Sequence, residues 1–374
     1  RIKKELNVPV IWGGIHPTIR PEETLNYADI ACIGEGEEAV VELADKMDKG
    51  LDYTDVQNLW FKKNGTVIKN KIRPLIQEID KLPLPDYDLK NHYVLDGNKI
   101  AGLNKKILND IMIQCNLSLE QGAAGYQTMA TRGCPHSCSY CSNNTLKEIY
   151  KGQKYLRKKS IRALIKELKT IKSELDFITN IWFSDDSFFS YTFEEIKEFS
   201  KLYREKINLP FYCLGSPLTI TEEKIEQLVG AGLKTIQMGI QSGNEKTLEL
   251  YNRKISNERV LATTRIINKF KKNIVPHYDF ILDNPYETEE DLLKTLNLLL
   301  KIPKPYRLNI FSLVLYPNTD LYWKAKADNL IENEVEQVYR NIYKARKNIY
   351  LTMIFKLAKN GNVPNIFLKV LINK

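Results

Sequence analysis

The chain has 374 residues, enough for two domains or for one large barrel with additions. No apolar run approaches the roughly 20 residues that cross a bilayer, and the six cysteines follow no disulfide framework of a secreted protein. A net charge of +9 is spread along the chain rather than gathered in one patch, so nucleic acid is not an expected partner, and the scattered cysteines make a reducing cytoplasm the expected location.

Residues 1–50 alternate strand and helix signals. Val8–Trp12 is predicted as an apolar strand ending in Gly13-Gly14, and Asp29–Ile33 as a second ending in Gly34-Glu35-Gly36-Glu37. Helices are expected at Pro21–Tyr27 and Glu38–Met47. Strands that end in glycine before a helix are α/β turns, where backbone approaches a ligand closely. His16 suits helix entry or a structural place better than a metal-ligand role. Because the first residue is Arg1 rather than Met, an N-terminal piece is expected to be missing.

Residues 51–90 read as a hairpin and a linker. Val56–Lys62 and Thr66–Lys71 flank Asn64-Gly65, a two-residue turn signal. Pro83 and Pro85 then bar a central strand or a helix interior. Residues 91–125 carry no clear period and are expected to form an extended lead-in.

From residue 126 to 322 strand and helix signals repeat. Strands are predicted at Tyr126–Thr131, Asn180–Ser184, Pro210–Gly215, Thr235–Ile240, Ile274–Leu282 and Arg307–Leu315. Helices are predicted at Ile161–Leu175, Phe193–Lys206, Glu222–Ala231, Asn257–Lys271 and Glu289–Lys301, the last capped by Thr288. Six such units imply parallel strands with right-handed crossovers, an α/β fold of partial (β/α)6 TIM type, with its sites at the C-terminal strand ends. Residues 323–374 are expected to add helices.

The first of these strands runs into Cys134-Pro135-His136-Ser137-Cys138-Ser139-Tyr140-Cys141. Three thiolates on one short loop can hold three irons of a four-iron, four-sulfur cluster and leave the fourth iron open. Zinc is the alternative, with His136 in the loop and Cys115 upstream, although no second cysteine pair follows. Cys32, Cys115 and Cys213 stand singly and read as ordinary reduced thiols. Alternate side chains of a strand share a face, so Gln237, Gly239 and Gln241 line up, as do His277, Asp279, Ile281 and Asp283. His277 and Tyr278 could donate protons or hydrogens, but interior packing is the plainer reading, and no catalytic side chain is assigned.

The cysteine loop, with Tyr126-Gln127-Thr128-Met129-Ala130-Thr131-Arg132-Gly133 leading into it, resembles the signature of the radical S-adenosylmethionine (SAM) superfamily. The resemblance implies a 4Fe-4S cluster on Cys134, Cys138 and Cys141, SAM on its open iron, and Tyr140 beside the adenine. Gly239-Ile240-Gln241 through Tyr251-Asn252-Arg253 is similar to a segment of the oxygen-independent coproporphyrinogen oxidase branch. That similarity implies Gln241 on the SAM ribose and Arg253 on its carboxylate, a role suited to a planar two-donor fork. It likewise implies that Asp279 takes a ribose hydroxyl. Ser184-Asp185-Asp186-Ser187-Phe188 stands where the family receives the SAM amino group, through Asp185 or Asp186; a helix-capping turn is the other reading.

Trp12-Gly13-Gly14-Ile15-His16-Pro17-Thr18 and Gly34-Glu35-Gly36-Glu37 resemble the C-terminal half of a Rossmann-like cobalamin-binding domain, incomplete here, where Gly13, Gly14, Gly34 and Gly36 would wrap the nucleotide tail. The Asp-x-His-x-x-Gly segment that supplies a lower cobalt ligand in many members is absent from these residues.

The implied activity is radical cleavage of SAM, with cobalamin-dependent C-methylation of an unactivated carbon leading and ring formation, oxidation or rearrangement as other outcomes. A tRNA methylthiotransferase-like enzyme would need three cysteines in an N-terminal domain, where Cys32 stands alone. A non-catalytic zinc or iron–sulfur module is the last alternative. The expected partners are a small, natural-product-like substrate and an electron donor such as flavodoxin or ferredoxin. Asp283-Asn284-Pro285-Tyr286-Glu287 replaces the usual Gly-x-Pro-Gly-Glu, and Tyr316-Pro317-Asn318-Thr319 a Pro-Gly-Thr turn, so the resemblance does not carry a substrate class.

Overall fold

The structure, a computed structural model, describes residues 2–6, 8–115, 122–340, 350–359 and 361–372. Parts of the expected lead-in and of the C-terminal extension therefore lie outside the described residues. The chain forms two compact units: Arg1–Gln77 with His136–Tyr155 and Val314–Asn341, and Glu78–Pro135 with Leu156–Leu313 and Ile342–Lys374.

The first unit is built on a mixed sheet of β1 (Ile11–Trp12), β2 (Ile30–Cys32), β3 (Leu59–Lys63) and β4 (Thr66–Lys69), in that order. β1 and β2 are parallel, and β3 and β4 add antiparallel strands. Asn64 and Gly65 both take positive φ, 51° and 80°, as a two-residue hairpin turn requires. The hairpin thus extends the first sheet instead of standing apart from it. β1 is shorter than predicted, starting after Pro9, which has no N–H to donate. Two short helices, Ile15–Ile19 and Pro21–Thr24, replace the single one expected at 21–27. Ile30, Cys32, Ala39, Leu43, Val56, Leu59 and Phe61 form the core.

Helix Ser142–Ile149, absent from the sequence prediction, belongs to this unit. It is tied to the chain before helix Asp320–Ala327. Asn144 donates to Asp320 at 2.8 Å and Thr145 to the Asn318 carbonyl at 2.9 Å.

The second unit begins with a hairpin, β5 (Tyr93–Asp96) and β6 (Lys99–Gly102), then helix Lys105–Gln114, where the sequence showed no period. Next come β7 (Ala124–Thr128), the short antiparallel pair β8 (Thr131–Arg132) and β9 (Arg157–Lys158), and β10 (Ile178–Phe183). β11 (Phe211–Gly215), β12 (Leu233–Gln241), β13 (Val275–Leu282) and β14 (Arg307–Ser312) complete it. Six strands form one parallel sheet in the order β7-β10-β11-β12-β13-β14, the partial barrel expected from the repeat. The predicted first strand, 126–131, divides into β7 and β8, because the ladder breaks at Met129-Ala130.

The intervening helices fall within two residues of prediction at each end. Thr192 and Thr288 both close capping boxes, with Glu195 and Asp291. One face of the sheet carries the apolar core. Phe183, Phe188, Phe199, Tyr203 and Phe211 are fully buried and meet edge-to-face or tilted, at centroid separations such as 5.3 Å for Phe188 and Phe199. Each such side chain contributes about 1.5–3 kcal/mol by leaving water. Helix Tyr350–Ala358 covers the same layer through Phe355 on Phe280. Among the described residues no helix is long and apolar enough to cross a membrane.

Candidate active site

With Ile236, Met238, Ile240, Tyr278 and Phe280 in the apolar core, the alternation of strands sends Gln237, Gly239, Gln241, His277 and Asp279 to the opposite, inner face. A polar belt crosses that face. Gln127 donates to Ser184 at 2.5 Å. Trp182 stacks on Tyr212 with centroids 3.6 Å apart. Tyr212 donates to Gln237 Oε1, Gln237 Nε2 donates to Asp279 Oδ2 at 2.8 Å, and Asn309 Nδ2 donates to Asp279 Oδ1 at 2.8 Å. Asp279 is only 8% exposed, and burial pushes its carboxyl up to about 6 against those donors and the nearby Arg253 charge.

Gln241 and Arg253, twelve positions apart, meet at Gly239. Arg253 Nη2 donates to the Gly239 carbonyl at 2.7 Å, and a Cβ on Gly239 would collide with Gln241 Nε2. Gln241 takes a left-handed φ of 73°, rare for a side-chain-bearing residue, next to a register shift between β12 and β13. Its Oε1 is buried and has no hydrogen-bond partner. A buried amide oxygen without a donor is the kind of group a ligand hydroxyl satisfies. Gln241, Arg253 and Asp279 therefore share one inner face and suit a ribose and a carboxylate by donor chemistry.

The two aspartates after β10 separate. Asp186 is exposed, whereas Asp185 is 0% exposed and accepts the Thr131 N–H. Cys213, read as an ordinary thiol, is fully buried nearby, and burial raises its pKa, with the Asp185 charge second.

Above the sheet, sequence reasoning missed a buried knot. Ser242 donates to Glu287 at 3.1 Å and lies 3.0 Å from Thr295, whose hydroxyl also takes the Gly243 N–H. Burial raises Glu287 to about 7.

The cysteine loop offers three soft thiol donors. Cys138 is 8% exposed, and the Cys141 N–H closes a turn on the Cys138 carbonyl at 3.1 Å. Helix Ser142–Ile149 starts directly after Cys141, and Lys147 donates to the His136 carbonyl. Tyr140 is half-buried. Among the described residues no three His, Cys, Asp or Glu side chains converge on a single-ion site. The loop fits a cluster through its donor chemistry and spacing.

The glycines assigned to a nucleotide tail divide by packing. A Cβ on Gly13 would touch Cys32 Cβ at 3.4 Å, and one on Gly36 would press Cys32 Sγ at 3.2 Å. A Cβ on Gly34 would collide with the Tyr150 hydroxyl, at the end of helix Ser142–Ile149. Gly14, at φ 107°, alone of the four has open space. Cys32 is thus a packing centre, 4% exposed, a role its isolation in sequence did not signal. His16 stacks on Trp12 at 5.3 Å and meets Tyr339 edge-on at 5.8 Å, which suits its structural reading.

Comparison with known proteins adds to this geometry. The radical SAM superfamily model matches residues 128–299, and the B12 binding domain model matches residues 1–44. A Pyrococcus horikoshii protein named an uncharacterized methyltransferase is 28% identical, over 97% of this chain and 74% of its own. The structure of TsrM, a radical SAM methyltransferase from Kitasatospora setae with tryptophan and a SAM analogue bound, aligns with a TM-score of 0.65 at 14% identity, over 87% of this chain and 59% of that one. OxsB, a cobalamin-dependent SAM radical enzyme with aqua-cobalamin and SAM bound, aligns with a TM-score of 0.58 at 16% identity, over 91% and 44%. The chain spans under two thirds of either solved chain, and both likenesses are likenesses of fold.

Proposed function

The chain belongs to the radical SAM superfamily, in its cobalamin-associated branch, and on that premise we propose that it methylates an unactivated carbon of a small molecule. The observation that carries the reading is the meeting of Gln241 and Arg253 at Gly239, with a partnerless amide oxygen waiting on the inner face of the sheet. When bound, the cluster and SAM supply a one-electron cleavage that yields a hydrogen-abstracting 5′-deoxyadenosyl radical, and cobalamin supplies methyl transfer.

The chain's own residues bind and orient. Cys134, Cys138 and Cys141 would hold the cluster, with Tyr140 against the adenine. Gln241 would accept a ribose hydroxyl and Asp279 a second one. Asp279 is kept in one orientation by Gln237 and Asn309. Arg253 would pair with the SAM carboxylate, and Asp186, the exposed aspartate of its pair, would receive the amino group. Trp182 and Tyr212 flank this belt with apolar ring surface and help exclude water.

Residues 1–44, which the B12 binding domain model matches, would hold cobalamin, with Gly14 the backbone position left open for it; Gly13, Gly34 and Gly36 shape the turns around Cys32 and Tyr150. The electron would come from a flavodoxin or ferredoxin in a reducing cytoplasm. The Pyrococcus horikoshii relative is named a methyltransferase and TsrM a methyltransferase with a tryptophan substrate, which supports methylation of a small molecule over the other radical outcomes.

The test is anaerobic reconstitution with iron, sulfide, hydroxocobalamin, SAM and dithionite. We expect 5′-deoxyadenosine and retained cobalamin. No 5′-deoxyadenosine above a Cys138→Ala control overturns the radical SAM reading. Production without cobalamin retention moves the assignment to a ring-forming or oxidative reaction.

A further inference from the structure

We propose that Asp185 is a positioning residue for the cysteine loop: it holds the backbone at Thr131, so that the chain leaves the sheet toward Cys134 along one fixed path. What the loop carries rests on the radical SAM reading; the anchoring itself rests on geometry alone.

The need for an anchor follows from the break in the first strand. β7 ends at Thr128, and β8 does not continue its ladder. The chain between them is buried at Ala130 and Thr131, so its polar backbone groups require partners that the sheet no longer provides. Asp185 Oδ1 accepts the Thr131 N–H at 2.5 Å. The Ala130 carbonyl accepts the Lys159 N–H at 2.9 Å and lies 3.0 Å from the Tyr191 hydroxyl, which is shared with the Lys159 carbonyl at 2.8 Å. β8 and β9 pair Thr131 with Lys158 and Arg132 with Arg157. Four tethers therefore converge on three residues, and Cys134 follows two positions later.

The same geometry separates Asp185 from a role on SAM. Its side chain is wholly enclosed, with Tyr191 and Cys213 as neighbours in the buried layer. Its second oxygen is buried in the same layer. A solute ammonium would have to displace that layer to arrive. A side-chain acceptor oxygen suits the anchor because it takes a buried backbone N–H that the sheet no longer pairs.

Three substitutions test this. Asp185→Asn keeps an oxygen for the Thr131 N–H and removes the charge. Asp185→Ala removes both, and Asp186→Asn removes the exposed charge. In the cofactor-free protein, amide exchange across 131–134 should stay within about twofold of wild type in Asp185→Asn and rise about tenfold or more in Asp185→Ala. In the reconstituted protein, the alanine variant should shift the midpoint potential and the electron paramagnetic resonance g-values, and asparagine should restore both. SAM affinity should fall about tenfold in Asp186→Asn, for loss of a charge-assisted hydrogen bond, and stay within about twofold in Asp185→Asn.

The proposal is overturned if Asp185→Asn weakens SAM about tenfold while exchange across 131–134 is unchanged in Asp185→Ala, the result for a ligand to SAM. Should Asp185→Ala not fold, Asp185→Leu, which keeps the buried volume and removes the acceptor for the Thr131 N–H, takes its place: faster exchange across 131–134 supports the anchor, and unchanged exchange sinks it. Exchange is measured without cofactor, so failure to assemble a cluster would count against the reading of the loop and not against the anchor.

Discussion

Gly239 is glycine for a reason that involves two other side chains. The space a methyl group would take is filled by the Gln241 amide, and the Arg253 guanidinium bonds the Gly239 carbonyl from beside it. Gly239→Ala should therefore push the end of the Gln241 side chain out of place, at little cost in unfolding free energy because that flexible end can swing away. SAM binding should weaken nonetheless. Denaturant unfolding without cofactor and SAM titration on the reconstituted protein measure the two effects. Unchanged SAM affinity would remove the case for a shared site at Gly239. Gln241, Arg253 and Asp279 were singled out through the resemblance of their segments to the superfamily, and the period of two that sets Gln241 and Asp279 on matching strand faces needs no tertiary information. Gln237 and Asn309 were not. Their roles depend on which residues lie opposite across β12, β13 and β14, and the register slips at Gly239/Gln241. Asp185 was legible as an acidic residue at a strand end, but its burial depends on the break between β7 and β8, which no local signal announced.

At the level of elements, the helices between the barrel strands are specified locally and the glycine turn after β2 is not. Thr192 shows the local case: its hydroxyl takes the Glu195 N–H and the Glu195 carboxylate takes the Thr192 N–H. Thr192→Ala should cost about 1 kcal/mol, the usual worth of such a cap, with little change in SAM binding. Gly34 shows the other case. Its place after a strand, in a segment that resembles a cobalamin-binding domain, made it a candidate cofactor contact, but in the structure it sits at φ 77° and the Tyr150 hydroxyl stands where a side chain would be. Gly34→Ala should destabilise the cobalamin-free protein by about 1–3 kcal/mol, because it meets both a disfavoured backbone and a packed ring. A Gly34→Ala protein whose melting temperature matches wild type and whose cobalamin retention falls would return Gly34 to the cofactor. No sequence pattern links residue 34 to residue 150. The glycine was visible and its partner was not.

Across the second unit, burial has shifted three carboxyls in one direction. Asp185 and Asp279 are raised to about 6 and Glu287 to about 7, each chiefly by desolvation. A carboxyl raised in the folded state binds its proton more tightly there than in the unfolded chain. Its stabilising contribution is complete below the unfolded value, near 4, and is lost as pH rises through the folded value. His277 acts in the opposite sense. Burial, with Arg307 second, lowers it to about 4, so between about 4 and 6.5 the unfolded chain holds the extra proton and stability rises with pH. Three groups oppose one, and Glu287 extends the window to about 7, beyond the reach of His277. The net expectation is that unfolding free energy falls as pH rises from 5 to 7.5, most steeply between 5 and 6, where all three carboxyls still hold extra protons and outnumber His277, and more gently up to 7.5. Unfolding by urea at several pH values, without cofactor, measures the slope. Asp279→Asn with Glu287→Gln should flatten it, and His277→Gln should steepen the acid half. The raised carboxyls would not govern the molecule's pH response if stability rose across 6–7.5, or if the double variant kept the wild-type slope.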